Sequence, residues 1–180
     1  MKRKLILIVL IIITFSVHTG VVYAAYPSDK CLWVPVMKQE KSKWCWAACG
    51  ASTLTYKGYS HTQKGFYVDV FQDYAYTDKG ATLAQICTGL KRSHTGHSPM
   101  TYATVVYKTI EYSLIQDQIY KNRPIIALRE AHAVVVHGYR TETSGNQYVR
   151  YMDPGIGANI FEICSEFTPH NYGYIRDIYR

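Results

Sequence analysis

The chain has 180 residues, 48% of them hydrophobic, with 20 lysines and arginines against 13 aspartates and glutamates and a formal charge of +7. Lys2, Arg3 and Lys4 lie in a removable N-terminal segment of 25 residues, so the remaining 155 residues (180 less 25) carry +4 (7 less 3), which is only mildly basic. That is ample for one domain with a buried core, leaves little for a second, and comes with nothing that resembles a nucleic-acid module.

Met1 to Lys4 is basic, Leu5 to Phe15 is an apolar run, and small residues gather around Val22 to Ala25. This order is that of a secretory signal peptide over residues 1–25, cleaved after Ala24 or Ala25, with one domain over 26–180. An uncleaved anchor is the competing reading, against which stand His18, Gly20 and the small-residue site. The expectation is a secreted bacterial protein with no stable membrane insertion after cleavage, since no later stretch is long and apolar enough to span a bilayer.

The stretch from Gln39 to Cys49 reads Q-E-K-S-K-W-C-W-A-A-C. Polar and charged residues give way to Ala47, Ala48 and Ala51, so a helix is predicted to begin at Cys45 and to run to Tyr56, with Gly58 ending it. A thiol at a helix N-terminus meets unpaired N–H groups and the positive end of the macrodipole, and both favour the thiolate. Gln39, six residues upstream, can fold back and set a side-chain N–H beside the backbone N–H of Cys45, making the two donors of an oxyanion hole. Lys38, Lys41 and Lys43 either raise the potential here or form a solvated loop.

Further helices are expected from His61 to Phe71 and from Thr82 to Leu90. Lys91 to Pro99 is a loop by composition, and its His94 and His97 lack a Cys or carboxylate at ligand spacing, so no metal site is expected. Tyr102 to Tyr107 alternates as a strand, and Glu111 to Lys121 has helical periodicity. Ile125–Leu128, Ala133–Tyr139, Tyr148–Met152, Asn159–Ile163 and Tyr172–Tyr179 then read as strands, with turns at Ser144–Asn146 and Pro154–Gly155. The fold class is α+β, a helical N-terminal half packed on an antiparallel β-sheet C-terminal half. His132 and His137 are five apart on one strand, so simple alternation puts them on opposite faces. Asp153, before Pro154, also suits a turn opening.

Gln39, Cys45, Trp46 and Ala47 at this spacing, followed by Ala131-His132-Ala133-Val134-Val135-Val136-His137-Gly138-Tyr139 and by Tyr151-Met152-Asp153-Pro154-Gly155, resemble the papain-like cysteine proteases. Asp153 stands where papain has Asn, and this is similar to the compact bacterial members, the bacteriocin-leader peptidases and the secreted papain-like effector proteases. The resemblance spans Gln39 to Gly155. It implies a papain-like fold that hydrolyses a peptide or protein substrate without cofactor or metal. Cys45 would be the nucleophile, His132 the acid and base, Asp153 the group orienting the imidazole, and Gln39 the oxyanion donor. The segment from Ala25 to Trp44 is too short for a papain-type inhibitory prodomain, so restraint would come from secretion before folding or from a separate inhibitor. A monomer is expected.

The cysteines are Cys31, Cys45, Cys49, Cys87 and Cys164. An odd count in a secreted chain leaves one thiol over, and a catalytic Cys45 accounts for it. Of the three possible pairings, Cys49–Cys87 with Cys31–Cys164 is expected, because Cys49 lies one turn beyond Cys45 and points inward; buried reduced thiols are the alternative. Other functions also place Cys before His: a cell-wall amidase or endopeptidase, which does not require Gln39 here, and a transglutaminase-type acyl transferase. A catalytically inactive binding protein or toxin on the same scaffold is opposed by the intact Gln39, Cys45, His132 and Asp153. The seventeen tyrosines suit any of these.

Overall fold

The computed structural model describes residues 26–93 and 102–179. The first half is helical, with α1 (Cys45–Tyr56), α2 (Gln63–Phe71) and α3 (Leu83–Arg92). Each boundary has a local cause. Gly58 takes a left-handed φ of +88° after α1, a conformation that costs glycine little and other residues more. The Thr62 hydroxyl accepts the Gly65 N–H to start α2, and Thr82 and Gln85 cap α3 reciprocally.

The three helices meet around the ring of Phe66 on α2, which is fully buried. A Cβ at Gly50 of α1 would lie 2.0 Å from that ring, and one at Gly89 of α3 would lie 3.2 Å from it. The helices approach closely only because both positions lack a side chain. Gly50→Ala is therefore expected to destabilise the fold by about 1–3 kcal/mol through overpacking. A denaturation midpoint unchanged by that substitution would show that the ring can move aside.

The second half supplies six strands of a seven-stranded sheet, antiparallel throughout, and the seventh comes from near the start of the described chain. The strands are β1 (Asp29–Cys31), β2 (Tyr102–Val106), β3 (Ile125–Arg129), β4 (His132–Thr141), β5 (Gln147–Asp153), β6 (Ala158–Ile163) and β7 (Asn171–Tyr179). They run in the order β2-β7-β3-β4-β5-β6, and β1 pairs with β4 beyond the end of β3. Helix α4 (Tyr112–Tyr120) joins β2 to β3, and α5 (Cys164–Phe167) with a 3₁₀ turn (Thr168–His170) joins β6 to β7. Both α1 and α4 pack on β4. Ala133 to Tyr139 are all buried, which is why β4 reads as an unbroken apolar run.

The antiparallel α+β architecture is as the sequence predicts, with three additions and two corrections. β1, α5 and the 3₁₀ turn are too short to carry a periodicity. Simple alternation does not assign His137, because a bulge between Val136 and Gly138 interrupts the pairing of β4 with β5. What separates His137 from His132 is distance along β4, about 17 Å for five residues. His137 is buried, with Nδ1 3.1 Å from the Leu32 carbonyl.

The expected disulfides are absent, and all five cysteines are free thiols. Cys31 pairs in register with Gly138 of β4, on the side away from β5 and β6, whereas Cys164 follows β6. Three strand spacings, about 14 Å, separate those lines of chain, and a disulfide needs Cα atoms within about 7 Å. Cys49 does point inward, but the Cys87 thiol turns to β2 and donates to the Ala103 carbonyl at 3.2 Å. No helix among the described residues is long and apolar enough to cross a membrane. The proposed signal segment, His94 and His97 lie outside the described residues.

Candidate active site

Cys45 opens α1, and Trp44 precedes it as the N-cap with no side-chain capping bond. No side chain at the N-cap therefore takes up the first-turn N–H groups. Its sulfur accepts the Ala133 N–H at 3.4 Å from the start of β4. Burial pushes this thiol up, but hydrogen bonds from His132 and the Ala133 N–H, the His132 charge and the Trp46 N–H together outweigh burial and bring it below its ordinary value. The other four thiols all shift the opposite way. Burial raises Cys31, Cys49 and Cys87, and pushes Cys164 up to about 11.

His132 is placed by a hairpin. β3 and β4 are closed by the pair Arg129–His132 around a two-residue turn, in which Glu130 and Ala131 have φ of +44° and +66°. Two successive left-handed residues suit the twist of such a hairpin, but neither is the Asn or Gly that adopts them readily. Arg129 anchors the turn with bonds of 2.8 and 3.2 Å to Glu162 and 2.9 Å to the Tyr151 hydroxyl. His132 Nε2 meets Asp153 Oδ1 at 2.7 Å, which leaves Nδ1 for Cys45. The hydrogen bond with Cys45, opposed by burial and reinforced by Asp153, raises the imidazole from 6.5 to about 9.

Asp153 closes β5, and the turn after it is shaped to hold the carboxylate. Asp153 Oδ1 also accepts the Gly155 N–H at 2.8 Å, and the Gly157 N–H bonds to the Asp153 carbonyl at 2.9 Å. A Cβ at Gly155 would stand 3.2 Å from Asp153 Oδ1 and 3.4 Å from His132 Cε1. The turn thus closes over the pair because glycine is there.

Gln39 is near the site but oriented otherwise than expected. Its backbone N–H bonds to the Pro154 carbonyl at 2.9 Å. Its side-chain amide donates to the carbonyls of Lys41 (2.8 Å) and Ser42 (2.7 Å), while Oε1 is buried without a hydrogen-bond partner. The segment before Cys45 is also moored by residues the sequence reading missed. Asp78 accepts the Ser42 hydroxyl at 2.6 Å and the Lys43 N–H at 2.8 Å, and these two bonds hold its carboxyl below the usual value. The indole N–H groups of Trp44 and Trp46 reach the carbonyls of Thr77 and Lys79. Asp78 sits in a polar loop between helices and carries no sequence signal of that role.

A hollow of about 720 Å³ opens beside Cys45 and His132, walled by Trp46, Ala81, Leu83, Tyr107, Leu128 and Tyr172. A hollow of similar size, about 770 Å³ by Ser28 and Ser144, contains neither thiol nor imidazole. Only the first brings a lowered thiol and a raised imidazole to one apolar groove. With that pair, thiol alkylation is expected to keep its rate at pH values below those an ordinary thiol needs, and kcat to fall above about pH 9 as His132 loses its proton. The same shift bears on stability. A raised imidazole stabilises the fold fully below 6.5, and that contribution fades as pH rises through about 9. Unfolding midpoints measured from neutral pH to beyond 9 check the second point, and pH-rate profiles the first.

Residues 31–176 match the model of the Peptidase C39-like family. No curated protein matches. Among solved structures, the chain is similar to a double glycine motif protease from an AMS/PCAT transporter in complex with the leader peptide, with a TM-score of 0.57 and 18% identity over 81% of this chain and 91% of that one. It is also similar to digestive procathepsin L 3 of the Tenebrio molitor larval midgut, with a TM-score of 0.62 and 7% identity over 86% of this chain and 70% of the other. For the recombinant stem bromelain precursor the values are 0.55 and 12%, over 83% and 70%.

Proposed function

The chain belongs to the Peptidase C39-like family, and from this premise, together with its papain-like fold and cysteine-type peptidase class, we propose that it is a secreted enzyme cleaving peptide bonds through a thioacyl intermediate on Cys45. The observation that supports this best is His132 with Nε2 held on Asp153 at 2.7 Å while the Cys45 thiol is lowered and the imidazole raised, each by the other. In this reading the thiolate attacks the carbonyl carbon, and the C–N bond breaks as imidazolium Nδ1 gives its proton to the leaving amine. Neutral His132 then takes a proton from water, the hydroxide attacks the thioester, and the acid leaves with Cys45 restored as thiolate and His132 as imidazolium. Asp153 holds the ring in the orientation that both steps use.

The Cys45 N–H at the helix start is one donor to the oxyanion, and Gln39 supplies a second by turning an amide hydrogen from the loop carbonyls to the substrate. The apolar groove suits an extended peptide, and the leader peptide held by the solved double glycine motif protease makes a processed peptide one substrate to try. Secretion rests on the basic, apolar and small segments of residues 1–25.

The test is mass spectrometry of the protein after exposure to an epoxide inhibitor of the papain class. A single adduct on Cys45, lost in Cys45→Ala and strongly slowed in His132→Ala at neutral pH, is expected. Modification spread over the other thiols, or none, would overturn the assignment.

A further inference from the structure

We propose that the pole of the molecule opposite the cleft docks on an anionic lipid surface, through lysines and tyrosines gathered around the turn from Tyr120 to Arg123. Four separate elements converge on that turn. Lys30 of β1 donates to the Tyr120 carbonyl at 2.7 Å and lies 5.2 Å from the Tyr120 ring. Lys57, just past α1, donates to the Asn122 carbonyl at 2.9 Å. The Tyr26 ring meets Tyr120 edge-on at 5.3 Å. Arg123 covers Tyr179 at 3.9 Å, and Tyr179 stacks on Tyr102 at 4.6 Å.

The local charge is positive. Lys121 is paired with Asp117 at 2.6 Å and Arg123 with Asp177 at 3.3 Å, and the neighbouring Asp29 is taken by Arg150. Lys30 and Lys57 instead give their ammonium groups to backbone carbonyls, so among the described residues the patch has two cations beyond its ion pairs. Between them Tyr26, Tyr102 and Tyr120 are 38%, 52% and 50% exposed. Cations set among amphipathic phenols match the headgroup region of a bilayer, where the ring buries and the hydroxyl and ammonium stay wet.

Two elements fix where this patch lies. α1 is about 18 Å long, with Cys45 at one end and Lys57 just past the other. β3, about 17 Å long, starts two residues after Arg123 and ends at the hairpin that presents His132. The patch is therefore at the far end of both elements that carry the site. A lipid surface under this pole leaves the cleft facing away into solvent, a consequence that rests on the peptidase reading, whereas the docking itself does not.

The test uses the chain from Tyr26 onward, which contains every core residue, in sedimentation with phosphatidylcholine vesicles and with vesicles in which about a third of the lipid is phosphatidylglycerol. Partitioning at least about tenfold stronger into the anionic vesicles, and weakened by salt, is expected. Lys30→Gln, Lys57→Gln and Lys121→Gln together should remove that preference while Cys45 alkylation, which reports the fold, is retained. Equal or no binding to the two vesicles overturns the proposal, as does binding that the triple variant keeps. Capture by a soluble anionic wall polymer without vesicle binding overturns it in favour of that polymer. Because sedimentation needs no catalysis, an inactive Cys45 and a non-binding pole give different results.

Discussion

His132→Ala is expected to lower kcat by roughly 10⁴- to 10⁶-fold, while Cys45 remains alkylatable at high pH. The two readouts separate because the thiolate has stabilisers other than the imidazole. The Ala133 N–H reaches the sulfur at 3.4 Å, and the first-turn N–H groups of α1 lie next to it. Without His132 the thiol rises toward its ordinary value, so alkylation slows at neutral pH and recovers as pH increases. Turnover does not recover, because among the described residues no other group is placed to protonate the leaving amine. Alkylation rates and kcat measured across the same pH range test this, and turnover within tenfold of the unaltered protein would remove His132 from the mechanism.

The parts of the site that were legible in the sequence are those set by local chemistry. The change from polar residues to Ala47, Ala48 and Ala51 marks the start of α1, and a thiol at that start needs no tertiary information to be suspect. The His132 and Asp153 segments are legible because each lies at a strand end, one beside a hairpin and one before Pro154 and Gly155. What was not legible depends on contacts between distant segments. β1 is three residues that become a strand only because β4 outruns β3. The bulge at Val136 to Gly138 adds a residue that a period of two cannot anticipate. The cysteine count constrained how many thiols could pair, but not where β1 and β6 would carry Cys31 and Cys164. Asp78 acts only because the loop bearing it folds back on Ser42 and Lys43.

Gln39→Ala distinguishes an oxyanion donor from a loop tie. If an amide hydrogen turns to the substrate in the transition state, its loss is expected to cost about 3 kcal/mol, or roughly a hundredfold in kcat, with KM little changed. The resting structure predicts a second effect. The amide bonds to Lys41 and Ser42 close the loop that leads into Cys45, and removing two such bonds should lower stability by about 1–3 kcal/mol. Gln39→Glu keeps the size of the side chain but presents oxygens to those carbonyls, so it should lose both kcat and stability. The buried, unpartnered Oε1 in the resting state favours the movement, because turning the amide frees that oxygen to find a donor or water. A fall in kcat together with the fall in stability gives Gln39 both roles. A fall in stability with kcat intact leaves the oxyanion to the Cys45 N–H alone and reduces Gln39 to the clasp that sets the nucleophile's approach.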